Sequence, residues 1–174
     1  MSKQSPPNVW EGMAAGIVGG LVASYVMGEF QKLWAYYAEE KKAKSATKKG
    51  RKSSKENEPA TVKAASAISE GVFDHKLTKA EKKIAGPAVH YAMGATSGAI
   101  YGAVVELVPE VTAGSGMPFG AAVWLAADDI TVPAVGLAKW PTEYPLSTHV
   151  YALASHLVYG LTTEAVRRAV RSIF

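Results

Sequence analysis

Polar and apolar positions fall in long blocks along this chain, not in the short periods of a soluble helix or strand. Four stretches are nearly free of fixed charge: Gly12 to Gly28, Ala85 to Val105, Met117 to Ala138 and Tyr144 to Thr163. A helix needs about 20 apolar residues to cross bilayer hydrocarbon, and the first, second and fourth stretches qualify. The third is apolar on both sides of Asp128-Asp129 and also contains Pro133. The pattern predicts a first helix over 9–38, a second over 79–108, an interrupted segment over 117–138 and a last helix over 144–172. Between the first two lies 39–78, rich in Lys, Ser and Glu as far as residue 60 and unable there to fold alone. From Thr61 to Phe73 the apolar positions Val62, Ala65, Ile68 and Val72 predict a short amphipathic helix lying along the interface. Asn8 with Glu11, and Thr78 with Glu81, have the spacing of N-terminal capping boxes, while Pro87 predicts a kink or a short break. The expected fold is all-α: one small integral membrane domain over 1–174, with three spanning helices plus a polar-interrupted segment that is either re-entrant or a fourth span.

Composition sharpens this picture. The 174 residues include no cysteine, which excludes disulfides, zinc–thiolate sites, iron–sulfur clusters and thiol catalysis. Twenty of the charged residues lie between Glu39 and Lys83, so a mean hydropathy near zero conceals a segregated chain. Thirteen Lys/Arg lie in the 39–83 block between the first two apolar stretches, and such loops stay on the cytoplasmic side. Arg167, Arg168 and Arg171 near the C-terminus fall under the same rule. Both clusters reach one side only if the third segment begins and ends on the outer side, which favours three spans and a re-entrant hairpin. Energetics agree, because a lipid-facing carboxylate at mid-membrane costs about 2.5–3.5 kcal/mol. Trp10, Trp34, Tyr36 and Tyr37 flank the first stretch as an aromatic belt, and a signal peptide fits it poorly, with only Lys3 as its charged start.

Small residues recur every four positions. The first stretch carries Gly12, Gly16, Gly20, Ser24 and Gly28; the second Gly94, Gly98 and Gly102; the third Gly116 and Gly120; the fourth Ala152 and Gly160. Such rows let membrane helices approach closely. They lead to the expectation of packing against other segments, a second copy or a protein partner, with membrane lipids around the whole.

Ionisable residues at membrane depth are rare and are site candidates. Here they are Glu29, His90, Glu106, Asp128, Asp129, His149, His156 and Glu164. His149 and His156 are two turns apart, and His156, Gly160 and Glu164 continue at spacing four. One reading is a proton or polar network, since imidazole titrates between about pH 5 and 8. A second is structural hydrogen bonding between helices. A metal site is the weakest reading, because neither a Glu-x-x-His nor a His-Glu-x-x-His spacing occurs. No nucleophile elbow, phosphate loop or dinucleotide fingerprint appears, so no catalytic residue, metal or cofactor is expected and the chain reads as non-enzymatic. Lipid headgroups explain the Lys-rich block without nucleic acid.

The runs His90-Tyr91-Ala92-Met93-Gly94-Ala95, Tyr101-Gly102, Phe119-Gly120-Ala121-Ala122-Val123-Trp124-Leu125, Asp128-Asp129, Pro133 and His156-Leu157-Val158-Tyr159-Gly160 resemble the YagU-like family of bacterial inner-membrane proteins. The resemblance covers roughly 85–171. It implies a multi-pass location in the bacterial inner (cytoplasmic) membrane and a supporting role in acid resistance, with no catalytic residues to carry over. The competing expectation is an accessory or scaffold subunit of a larger membrane complex.

Overall fold

The structure, a computed structural model, describes residues 7–45 and 58–173, and no strand occurs among them. Helix α1 (Val9–Ser45) runs past the expected end at 38, because the Glu-, Lys- and Ala-rich sequence that follows has high helix propensity. Most of the remaining basic block, residues 46–57, lies outside the described residues. Helix α2 (Ala60–Phe73) is the amphipathic stretch and ends at Asp74 in the left-handed region, with φ of 50°. Helix α3 (Lys79–Leu107) starts at a reciprocal cap: Thr78 Oγ1 accepts from the Glu81 amide and Glu81 Oε2 accepts from the Thr78 amide at 2.6 Å. Those hydrogen bonds hold the exposed Glu81 carboxyl below its usual range, so the cap is intact above that range and fades as pH falls through it. Pro87 sits inside α3 without breaking it.

The third segment departs from expectation. It is one helical run from Met117 to Ala134: α4 (Met117–Val123), a π-helical stretch (Trp124–Thr131) and the single turn α5 (Val132–Ala134). Pro133 has no N–H and its ring crowds the carbonyl four residues back. The wider π turn relieves that crowding and keeps the chain helical. The expected re-entrant hairpin is therefore replaced by a full traverse of the bundle. Helix α6 (Leu146–Arg171) follows a turn at Gly136 and a 3₁₀ turn over Pro141–Glu143.

These helices run up, down, up and down. Gly12 faces Gly102, Gly16 faces Gly98 and Gly20 faces Gly94, which makes α1 and α3 antiparallel. Gly19 lies on Thr163 and Glu11 pairs with Arg171, so α6 is antiparallel to α1 as well. Gly116 and Gly120 rest on Gly160 and His156, which sets α4 against α6. The end of α1 and the start of α3 thus sit at one end of the bundle, and the arginine-bearing end of α6 at the other.

What is buried is unusual. The fully buried side chains of greatest volume are Glu164, Thr163, Ser24 and Ser155, while the buried apolar residues are four alanines with Met27, Tyr101, Val105 and Tyr159. Ile17, Val18, Leu21, Val22, Ile100, Leu125, Ile130 and Leu161 face outward. Among the described helices α1 is the one long and apolar enough by composition to cross a membrane by itself. Glycine, His and hydroxyl residues dilute α3 and α6.

The α1–α3 contact is backbone on backbone. A Cβ at Gly16 would overlap the Gly98 carbonyl oxygen, whereas one at Gly28 would meet nothing within 4 Å. Gly16→Val is expected to destabilise the bundle by about 1–3 kcal/mol through overpacking. Gly28→Ala should be neutral or stabilising by up to about 1 kcal/mol, from helix propensity. Reversible unfolding in mixed micelles, followed by circular dichroism, checks both.

Candidate functional site

Five of the eight ionisable candidates form two groups at different levels of the bundle. His90, Asp128 and His156 line a cavity of about 450 Å³. Each helix gives the cavity one face. Ser24, Met27 and Gln31 come from α1; His90, Met93, Gly94 and Ser97 from α3; His156 and Tyr159 from α6, all at helical spacings of three, four or seven. The π stretch and α5 contribute Ala127, Asp128, Thr131 and Val132, and the first turns of α2 close the cavity mouth with Ala60, Thr61 and Ala64. Lys63 Nζ donates to the Leu137 carbonyl at 3.0 Å, tying α2 to the segment after α5.

His156 is the centre of this arrangement. Its Nδ1 donates to the Ala152 carbonyl at 2.9 Å, one turn back on α6. That bond fixes the tautomer and leaves Nε2 facing Asp128 Oδ2 at 3.8 Å. At that separation the two groups are within ion-pair distance but beyond hydrogen-bond reach, and each is a proton acceptor. The Asp128 side chain is 45% accessible because it faces the open cavity, while that of His156 is 9% accessible. Across the cavity His90 Nε2 lies 3.4 Å from the Ser24 carbonyl, a long contact that leaves the ring weakly held. Tyr159, which the sequence did not single out as a site residue, donates to the Gly94 carbonyl at 2.7 Å and lies 2.8 Å from Ser97 Oγ. Its adjacency to Gly160 and its three-residue spacing from His156 were the available signals.

His149 does not join His156, although the two share a helix face. Its Nε2 donates to the Pro141 carbonyl at 3.0 Å and its ring meets Trp124 edge-on. Asp129 lies outside the cavity lining. Glu29 pairs with Lys32 on the exposed side of α1.

Glu106 and Glu164 belong to the far end. Arg171 grips Glu106 through Nε at 2.8 Å and reaches Glu11 at 2.8 Å, so one side chain joins α6, α3 and α1. Glu106 Oε2 also accepts the Asn8 amide at 2.9 Å, the bond that Glu11 would make in a reciprocal cap. Asn8 Oδ1 still accepts from the Trp10 amide at 3.1 Å. Glu164, 1% exposed, takes Arg167 in a two-point pair at 2.7 and 2.9 Å and also accepts from Arg168. Three arginines therefore meet three glutamates. The sequence argument used these arginines only as topology signals; in the structure each is paired with a glutamate. The spacing of three and four from Glu164 to Arg167 and Arg168 was legible; the partners Glu11 and Glu106 were not.

Among the described residues no three His, Asp or Glu side chains converge closely enough to hold a metal ion.

The chain belongs to the family of proteins of unknown function DUF1440, whose model matches residues 51–165. The match takes in α2 to α5 and most of α6, and with them His90, Asp128 and His156; α1 and the three arginines lie outside it. No curated protein and no solved structure matches the chain.

Glu164→Gln removes the charge that the buried Arg167 needs and should cost about 3–5 kcal/mol. Replacing both Glu164 and Arg167 with leucine should recover most of that loss, since no unpaired charge is left. Unfolding of the three variants in micelles gives the comparison.

Proposed function

We propose that this DUF1440 protein is a non-enzymatic, multi-pass protein of the bacterial inner membrane that supports acid tolerance by carrying protons on His90, Asp128 and His156. The observation that carries the proposal is the His156–Asp128 pair, two proton-accepting groups 3.8 Å apart inside a cavity walled by four helices. Acid tolerance itself enters through the YagU-like resemblance of the 85–171 segments.

The membrane reading draws support from the inverted burial. Ser24, Ser155, Thr163 and Glu164 are inside, and large aliphatic side chains are outside on α1, α3, α6 and the π stretch. Water would penalise so large an apolar surface, whereas lipid solvates it. Trp34, Tyr36, Tyr37, Trp140 and Tyr144 collect at the 39–78 end, where an interfacial belt belongs. On this reading all four traverses span, with the Lys-rich segment on the cytoplasmic side and the Arg–Glu clasp at the opposite face. The glycine rows of α1 and α3 are filled by each other, so a second copy or a partner subunit would dock on the outer apolar faces.

Two measurements test this. The chain has no cysteine, so single-cysteine variants report topology cleanly. Ser172→Cys should react with an impermeant maleimide from outside intact cells, and Glu58→Cys only after permeabilisation; protection of Ser172→Cys in intact cells would instead restore three spans. In proteoliposomes, Asp128→Asn and His156→Ala should bring proton flux down to that of protein-free vesicles, and undiminished flux would remove the proton role.

A further inference from the structure

We propose that the cavity is also a binding site for a small lipophilic monocation, an organic ammonium or phosphonium, held at the Asp128 carboxylate. This deepens the reading of the cavity as a proton site, and it rests on that reading for its pH dependence alone.

Size and lining argue for it together. A volume of about 450 Å³ is that of a small-molecule site and far exceeds what a proton relay requires. The walls are mostly apolar, with the soft thioethers of Met27 and Met93 on one side and Val123 and Val132 on the other. Asp128 is the one residue of fixed charge among those lining the cavity, and its carboxylate is open to the space. The nearest lysine of the α2 roof, Lys63, is committed to the Leu137 carbonyl and does not line the cavity.

Other ligand classes fit less well. An anion would lie against the carboxylate. A neutral apolar molecule would leave Asp128 and His156 desolvated without a new partner. A small inorganic cation needs several oxygen ligands, and the described residues offer no such cluster. An organic cation needs one counter-charge and apolar walls, and Tyr159 adds an aromatic ring to that environment.

The proton balance follows. A proton taken up by the Asp128–His156 pair cancels its net negative charge, whether it rests on the imidazole or on the carboxyl, so the cation binds as that proton leaves to solvent. His90, the other titratable side chain lining the cavity, opposes the cation in the same way when protonated, so binding and protonation compete.

Tetraphenylphosphonium titrated calorimetrically into the full-length protein in maltoside micelles, with empty micelles subtracted, tests the inference. Saturable binding is expected at about pH 8, weakened about tenfold or more at about pH 5. Asp128→Asn should abolish it, and Glu110→Gln, on the loop at the far end, should leave it unchanged. Ala64→Phe fills the mouth from the peripheral helix α2 and should weaken binding with Asp128 intact, which covers the case of an Asp128→Asn protein that does not fold. Absence of binding in the unaltered protein, or full binding to a folded Asp128→Asn variant, overturns the inference. If proton flux still depends on Asp128 in that event, the proton reading survives alone. Binding that needs Asp128 but ignores pH supports the site and counts against the proton role.

Discussion

Everything in this bundle depends on how closely α1 approaches α3. Glycine carbonyls of one helix sit where side chains would begin on the other, at Gly12, Gly16 and Gly20 against Gly102, Gly98 and Gly94. In an apolar solvent no hydrophobic gain drives two helices together, so dispersion over a closely matched surface must do it. The same approach sets the back wall of the cavity. It brings Ser24 to Gly94 and His90, and it lets Tyr159 reach across to the Gly94 carbonyl. A wider helix spacing would separate those groups and open the cavity along its length.

The clasp at the far end fixes what the glycine contact leaves free. Small-residue surfaces are smooth and tolerate sliding, whereas Arg171 between Glu106 and Glu11 accepts one register of three helices. A buried ion pair contributes little net stability, because desolvation offsets most of the attraction, but breaking it is costly. Its role here is positional. Glu164 does the same within α6, holding Arg167 inside the bundle where an unpaired guanidinium would not stay.

The cavity sits where the helices are least regular. Pro133 and the π stretch widen the third traverse beside Asp128, and α2 rather than a fifth full-length helix covers the opening. Proton and cation would thus meet at a point where packing is deliberately incomplete, between a rigid glycine seam on one side and a short amphipathic roof on the other. A carboxylate there is open to the cavity without being enclosed by the helices.

The sequence by itself determined the local elements. Charge-free blocks marked the helices; Thr78 and Glu81 marked where α3 starts; the apolar period after Thr61 marked α2; and four-residue glycine spacing marked the faces able to approach. These features are legible because each depends on residues within a turn or two of one another. Only the tertiary structure decided that the Asp128-Asp129 segment runs straight through, that His156 turns to Asp128 and not to His149, and that Arg171 is paired with Glu11 and Glu106. Those outcomes depend on partners far apart in the chain. Whether a buried charge is tolerated or expelled is set by what stands opposite it across the bundle, and no spacing along one helix encodes that.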